Sequence, residues 1–500
     1  MKKLSIILLF GVSVAGCKKY LDVNEDPRTP QLTTAESLLP HMQASIGNAI
    51  GLDARYTSKY VQNFASVSAL DISETHGSPF PNGAELWSNH YLRLGKSVDQ
   101  MLFDATTNNK WHYAGAGKAL RAWSWQTATD HFGEMILKEA WDDNKYIFNY
   151  DPQEEIYEEV RKNCNEALGY FGQKSPIKLS PTGDFMFYGN VDRWVKFVYG
   201  ILARNANNII NKPSYDPAKV ILYCDSSLSS NTDNATIEYI STITGNAHPF
   251  GALRSNFTTF VQSSVILNLL TGYLRNVNVI DPRINNMLVK SADGNYYGAV
   301  PTFGDPNSTV GNLKRIPNIQ GGLGIAGNRY LFKDPIKWPI MTHSEILFIK
   351  AEAAFRSNKL NIAHDAYIAG ISSNIDFVNI YGATQITPAQ KATYLASASV
   401  AQSPANLKLS DIMSQKYIAL WGWGFEQTWV DLRKYHYDTT VFRGYTIPDN
   451  TRLNIANRPD KLVYRFKTQN TEFLYNREAL QALGAFNPDY HTYEMWFSKP

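Results

Sequence analysis

Cysteine is scarce in this sequence, with three residues among 500: Cys17, Cys164 and Cys224. A disulfide framework needs a larger even number of cysteines, and a structural zinc site needs them in closely spaced pairs. The sequence therefore excludes both arrangements. One disulfide between Cys164 and Cys224 remains open, although two buried free thiols are favoured because free cysteine packs as a small apolar side chain.

The sequence also lacks a long apolar run and an excess of charge of one sign. No stretch reaches the roughly 20 apolar residues that a membrane-spanning helix needs. The 48 lysines and arginines nearly balance the 45 aspartates and glutamates, which argues against a nucleic-acid partner and a polybasic membrane-binding patch. We expect a chain with a large core and no transmembrane helix.

Familiar catalytic motifs are absent as well. No GxSxG, HExxH or GxxxxGK[ST] pattern occurs, so the sequence offers no serine-hydrolase elbow, zinc-protease helix or phosphate-binding loop. Residues 322–327 spell GxGxxG, but a dinucleotide site needs a strand before this pattern and a helix after it. Pro317 and Pro335 lie on either side instead. We predict a loop there, and we expect no cofactor, no metal and no catalytic set.

Carboxylates that could serve a glycosidase have a simpler interpretation. Four of them share the polar side of one amphipathic helix, where charged residues usually face water: Glu154, Glu155, Glu158 and Glu159. Asp130 and His131 form a more promising polar pair. Even so, a helix terminus with a hydrogen-bonded histidine is the favoured interpretation of that pair.

The amino-terminal residues predict export. Lys2 and Lys3 precede an apolar run over residues 4–14, which is too short to span a bilayer and is typical of a signal peptide. The run ends in small residues just before Cys17, and this pattern resembles the lipobox of bacterial lipoproteins. The resemblance implies that residues 1–16 are removed and that Cys17 is acylated, which would anchor the protein to a membrane. An ordinary secretory peptide with a chance cysteine is the alternative.

Helical periodicity dominates the sequence after Cys17. Residues 17–37 are predicted to form a tether, and residues 38–500 a single domain with a loop-rich insertion at about 231–338, where glycine, asparagine, serine and proline are frequent. We predict a mostly α fold with long irregular loops and a few short strands. The helix pairs resemble tetratricopeptide hairpins, although no clean repeat of about 34 residues is present.

Two segments carry the pattern of a capping box, in which side chains at both ends of a first helical turn bond to the backbone. Residues 151–154 read Asp-Pro-Gln-Glu, and residues 342–345 read Thr-His-Ser-Glu. Thr387-Pro388 is predicted to start a further helix. Residues 113–131 begin with alternating alanine and glycine, which predicts a helix whose early turns lie close against a neighbour.

Several motifs, weak alone but specific in this order, resemble the SusD/RagB family of nutrient-binding lipoproteins. They are the LDVNEDPRTP segment at 21–30, Asp192-Arg193-Trp194 with Arg204, Asp281-Pro282-Arg283, Glu345 with Phe348 and residues 350–353, residues 415–420, and Glu426, Trp429, Asp431 and Arg433. Two features depart from the family pattern. One arginine follows Asp431 where many members have two, and Lys18-Lys19 stand where surface-exported members often have acids.

The resemblance implies a lipid-anchored outer-membrane protein, expected at the cell surface, that pairs with a SusC-like TonB-dependent β-barrel transporter. In that family the protein captures an oligomeric nutrient, usually a glycan, and breaks no bond. A surface glycoside hydrolase and an interaction subunit without its own ligand are the competing classes. The ligand itself stays open between a plant glycan, a host glycan and a peptide.

The family's ligand site implies that the loops at 69–89 and 273–303 present the binding surface. Within them we expect stacking platforms at Trp87, Tyr296 and Tyr297, with Asn82 and Arg275 as partners for sugar hydroxyls. Aromatic residues make up 13% of the chain. Composition alone, however, favours core packing for most of them, because large aromatic side chains are commonly buried.

Overall fold

The computed structural model describes residues 33–243, 245–253, 257, 259–272, 277–318 and 330–500. Four sequence-based predictions therefore lie wholly or largely outside the described residues: the acylated Cys17 with its signal peptide, the tether at 17–37 with its motif at 21–30, the hydroxyl partner Arg275, and the GxGxxG loop at 322–327. None of the helices that are described is both long and apolar enough to cross a membrane.

Helices make up about half of the described chain and its strands are few and short, which confirms the mostly α fold class. In order they are α1 (Ala35–Tyr60), α2 (Glu85–Ser88), α3 (Lys96–Thr107), α4 (Trp111–Phe132), α5 (Gln153–Phe171), α6 (Val191–Asn208), α7 (Pro217–Asp225), α8 (Ser264–Leu270), α9 (Ile284–Met287), α10 (His343–Arg356), α11 (Leu360–Tyr381), α12 (Pro388–Leu395), α13 (Leu409–Leu420), α14 (Phe425–Lys434), α15 (Asn470–Tyr475) and α16 (Arg477–Ala482). A π-helical turn, Asn89–Gly95, joins α2 to α3.

Four short strands form two separate antiparallel pairs. Strand β1 (Phe64–Ser66) pairs with β3 (Phe260–Gln262), and β2 (Ala235–Tyr239) pairs with β4 (Ile336–Met341). Two of these strands lie wholly within residues 231–338, and β4 begins there. The sequence predicts this mixture of irregular backbone and short strands for the segment.

Consecutive helices pack on one another along the chain. Helix α4 packs on α5, α5 on α6, and α6 on α7; α7 then packs on α10, which pairs with α11. The loop-rich segment thus separates α7 from α10 in sequence but not in space. This pairwise packing is the tetratricopeptide-like arrangement that the sequence predicts.

Small residues set the closest of these contacts. A Cβ atom added to Gly115, in the second turn of α4, would lie 2.7 Å from the ring of Phe171 at the end of α5. Real Cβ atoms do not come so near to a ring carbon, so glycine is required for this approach. The prediction of a helix with closely packed early turns is confirmed.

One predicted capping box is wrong and one is half right. Helix α5 has no side-chain cap, because the Asp151 carboxylate accepts the backbone N–H groups of Leu137 and Lys138 at 2.8 and 2.9 Å instead. In α10 the Thr342 hydroxyl accepts the Glu345 N–H at 3.3 Å, but the Glu345 carboxylate pairs with Arg204. Thr387 and Gln390 do form a complete box at α12.

Several residues of the motifs that resemble the SusD/RagB family lie in the core and form buried ion pairs. Arg204 makes two 2.7 Å bonds to Glu345, and Lys434 lies 2.7 Å from Glu352 with both side chains fully buried. Burial tends to raise the pKa of Glu352, but Lys434 and Lys416 outweigh it and hold that pKa at about 2. Buried charges persist only where such partners surround them. Cys164 and Cys224 are both buried and free.

Candidate functional site

A cavity of about 530 Å³ lies between the π-helical turn, the loop that follows α4 and the start of α15. Aromatic and aliphatic side chains form most of its walls: Trp87, Tyr91, Leu92, Ile136, Ala140, Trp141, Tyr146 and Phe148. Polar and charged groups complete the lining: Lys96, Asp142, Asp143, Lys145, Gln469, Thr471 and Glu472. We call this the aromatic cavity. Its size suits a small or oligomeric organic ligand.

Trp87 is placed in the cavity wall by a buried carboxylate. Asp53 on α1 accepts the backbone N–H groups of Glu85 and Leu86 at 3.0 and 2.9 Å, which caps the first turn of α2. Trp87 follows directly and is 4% exposed. Its ring lies 4.7 Å from that of Tyr91 and 5.3 Å from that of Phe132, centroid to centroid.

The polar atoms of two other wall aromatics are bonded inside the protein. The Tyr91 hydroxyl donates to the carbonyl of Ile136 and accepts its N–H, both at 2.8 Å. The Trp141 indole N–H donates to the carbonyl of Tyr91 at 2.9 Å. These bonds hold the loop after α4 against the π-helical turn. What these rings offer a ligand is therefore apolar surface rather than a hydrogen bond.

The side chains of two wall residues are largely exposed to solvent. Tyr146 is 87% exposed and Leu92 is 74% exposed, although both border the cavity. Exposed apolar side chains beside a concave site often mark a place where a ligand binds. Together they form an apolar rim.

The lysines of the lining are already paired. Lys96 contacts Asp143, and Lys145 contacts Glu139. The hydrogen bond from Lys145, with a second from the Asn149 N–H, lowers the pKa of Glu139 to about 2. Glu139 is therefore ionised across the usual pH range and can pair with Lys145.

Behind the cavity, Asp53 belongs to a buried polar chain. Nδ1 of His131 lies 2.7 Å from Glu426, and its Nε2 lies 3.9 Å from Asp53. Burial raises the pKa of Asp53 to about 6, against the opposing pull of His131 and of the two capped N–H groups. Asp130 and His131 are thus core groups at the end of α4, as the favoured interpretation of the sequence has it.

The remaining predicted ligand residues lie elsewhere. Tyr297 packs against Ala65 and Val261, in a hydrophobic cluster different from that of Trp87, and its hydroxyl donates to Asp293 at 2.9 Å. The Tyr296 hydroxyl donates to Asn285 at 2.8 Å. Asn82 is exposed in the loop before α2.

The two loops predicted to form a ligand surface do meet. The N–H of Leu70 donates to the carbonyl of Thr302 at 3.1 Å, and the buried Glu74 carboxylate accepts the N–H groups of Ser66 and Thr302. Burial raises the pKa of Glu74 to about 7. Beside this contact the Arg452 guanidinium lies 3.5 Å above the ring centre of Phe303. Where the two loops meet, the ring of Phe303 is already covered by the Arg452 guanidinium. This surface therefore offers a ligand less aromatic area than the aromatic cavity does.

Sequence reasoning missed the other four aromatic residues in the wall of the aromatic cavity: Tyr91, Trp141, Tyr146 and Phe148. A signal was present, since residues 141–150 contain four aromatics. Charged and turn-forming residues between them hide any period, so the pattern does not show that the segment folds back on the π-helical turn.

Within the described ranges, no group of three or more His, Cys, Asp or Glu side chains could hold a metal ion. The family comparison then decides the class of protein. Residues 27–458 match the SusD-like family, whose description reads "Starch-binding associating with outer membrane". The chain belongs to the SusD-like family. None of the curated proteins matches the sequence.

Solved structures with this fold include several SusD homologues. A chitin-binding protein shares 20% identity with this SusD-like chain at a TM-score of 0.73, covering 93% of this chain and 100% of the other. A SusD/RagB family protein from Bacteroides thetaiotaomicron shares 22% at 0.69, covering 93% and 99%. A chitin-binding SusD homologue from Flavobacterium johnsoniae shares 16% at 0.70, covering 92% and 98%. These similarities establish the fold of the SusD-like chain.

Proposed function

We propose that this SusD-like protein binds an oligosaccharide nutrient at the cell surface and delivers it to a SusC-like TonB-dependent transporter. The aromatic cavity is the observation that carries the proposal. Sugar rings have apolar C–H faces that stack on aromatic rings, and their hydroxyls need hydrogen-bond partners. The aromatic cavity offers both, through Trp87, Tyr91 and Tyr146 in the walls and Gln469 and Thr471 beside them.

Relatives support the same class of ligand. The family description names starch binding, and two of the similar structures are named as chitin-binding. Starch and chitin are both glycans, so a glycan is the ligand class that the family and the aromatic walls share.

Binding without hydrolysis is the second part of the proposal. A glycosidase needs two free carboxyl groups facing the scissile bond. Here Asp143 contacts Lys96, Asp142 accepts the N–H of Asn144 at 2.9 Å, and Glu472 accepts the Tyr150 hydroxyl at 2.8 Å. All three acids of the lining are thus engaged in bonds within the protein. A surface glycoside hydrolase is the alternative that this arrangement disfavours.

Lipid anchoring and the transporter partnership form the third part. The family description names association with the outer membrane. A single acyl chain binds a membrane only weakly, so stable attachment would need a second lipid chain or a further contact with the membrane. The lipid would be on Cys17, and the barrel partner would receive the cargo from the aromatic cavity.

The test uses the full-length protein purified from its own membrane. Mass spectrometry of the amino-terminal peptide should show an acylated Cys17, and affinity capture in mild detergent should recover a β-barrel protein. Isothermal titration with maltohexaose and chitohexaose should give binding, while chromatography of the same mixtures should show no shortened product. Product release would establish the hydrolase, and recovery of the barrel without any sugar binding would establish a ligand-free subunit.

A further inference from the structure

We propose that the aromatic cavity selects uncharged oligosaccharides and discriminates against acidic ones, such as those built from uronic acids or sulfated sugars. This inference rests on the proposed function and narrows it to one chemical class of glycan. The supporting observation is that the charged side chains around the cavity already form ion pairs or hydrogen bonds within the protein.

Both lysines of the lining are bound to acids. Lys96 contacts Asp143 directly. Lys145 contacts Glu139, whose carboxylate also accepts the N–H of Asn149 at 2.8 Å. An acidic sugar would have to displace one of these carboxylates to gain a lysine, and the gain from the exchange would be small.

An arginine behind the cavity wall is engaged as well. Arg121 lies against the Trp141 ring with its guanidinium carbon 4.5 Å from the ring centre. The same guanidinium donates to the carbonyl of Gly95 at 2.6 Å and pairs with Asp99 at 2.9 Å. It therefore supports the back of the wall instead of offering its charge to a ligand. Acidic ligands are usually held by free arginine or lysine forks.

The balance of charge in the lining is slightly negative. Three acids line the cavity, Asp142, Asp143 and Glu472, against the two lysines. A carboxylate or sulfate entering between apolar rings loses water and meets this negative lining without a free cation. A hydroxyl meets no such penalty, because it can donate to the side-chain oxygen of Gln469, whose amide nitrogen donates to Ser88, and can exchange hydrogen bonds with Thr471.

The test compares neutral and acidic hexasaccharides on the full-length protein by isothermal titration at low and at physiological salt. Chitohexaose, maltohexaose and cellohexaose are the neutral probes, and hexagalacturonate and a heparin hexasaccharide are the acidic ones. We expect at least one neutral probe to bind about tenfold more tightly than either acidic probe. The preference should be larger at low salt, where repulsion is less screened.

A charge variant sharpens the test. Asp143→Asn removes the partner of Lys96 and should raise the affinity for hexagalacturonate relative to the neutral probe by about fivefold, the worth of about 1 kcal/mol. Asp225→Asn is the matched control, because Asp225 pairs with Lys350 on a different part of the surface. It should leave this ratio unchanged.

The outcomes separate the two proposals. Binding of neutral and acidic probes with equal affinity would overturn the selectivity while leaving oligosaccharide binding intact. Tighter binding of an acidic probe would do the same. Failure of every probe to bind would overturn both the proposed function and the inference that depends on it.

Discussion

Nδ1 of His131 lies 2.7 Å from a carboxylate oxygen of Glu426, with the imidazole fully buried in the core. On its other side the same ring faces Asp53, which caps the turn that carries Trp87. Glu426 is one of the residues on which the resemblance to the SusD/RagB family rests. Its contact with His131 holds this histidine between α14 and α1.

The first prediction concerns the pH dependence of Asp53. Burial raises its pKa from 3.8 to about 6, so the folded protein holds this proton more tightly than the unfolded chain does. The contribution of Asp53 to the free energy of unfolding is therefore full at low pH, falls as the pH rises from about 4 to about 6, and is flat above that. The fall is about 3 kcal/mol at most, from the two units of pKa.

Urea unfolding of the wild type and of Asp53→Asn between pH 4 and pH 8 measures this contribution. Asparagine does not titrate, so the free energy of unfolding of the wild type should fall relative to that of the variant as the pH rises from about 4 to about 6. Asp192→Asn, at an exposed position in the first turn of α6, controls for the loss of one carboxylate. A difference that does not vary with pH would contradict the prediction.

The second prediction concerns the rim of the aromatic cavity. Tyr146→Ala should weaken binding of a neutral hexasaccharide by about tenfold, because an exposed ring beside the cavity contributes stacking that alanine cannot replace. Thermal stability should change little, since the side chain is 87% exposed. Tyr188→Ala removes an exposed tyrosine outside the cavity and should leave the affinity at the wild-type value. Equal losses in both variants would show that the rim is not the binding surface.

The third prediction separates Trp87 from Tyr296. Trp87→Ala should reduce both ligand affinity and stability, the latter by about 3–5 kcal/mol, because it empties a packed aromatic site. Trp87→Phe should recover most of the stability but only part of the affinity. Tyr296→Ala tests the second platform predicted from sequence, and titration with the same hexasaccharide measures all three. Unchanged affinity in both alanine variants would remove these two residues from the ligand site.

Much of the helical framework could be predicted because its signals are local. The helix start at Thr387-Pro388 and the small residues at 114–117 act within one or two turns, so the sequence alone indicates them. Asp151 misled the prediction for a different reason. Its carboxylate satisfies two N–H groups of an earlier loop, which is a tertiary choice that no local pattern reveals.

The candidate site could be predicted only in part. Family resemblance indicates Trp87, but the aromatic cavity also depends on Trp141 and Tyr91 meeting through a hydrogen bond between residues 50 positions apart. The spacing of residues in the sequence does not indicate such a contact. Tyr297 is a second case, since the sequence does not indicate that this ring packs partly against a small hydrophobic cluster separate from that of Trp87.

The fourth prediction explains a motif of the family in physical terms. Arg283 is fully buried and donates to both carboxylate oxygens of Asp281, to Asn374 on α11 and to Gln415 on α13. Arg283→Lys keeps the charge but cannot make these forked bonds, so buried acceptors lose their partners. We expect a loss of about 3–5 kcal/mol in the free energy of unfolding, measured by urea denaturation at neutral pH. Arg93→Lys, at a partly exposed ion pair, should cost less than about 1 kcal/mol. If the two variants unfold at the same urea concentration, Arg283 does not tie the loop-rich segment to the helices.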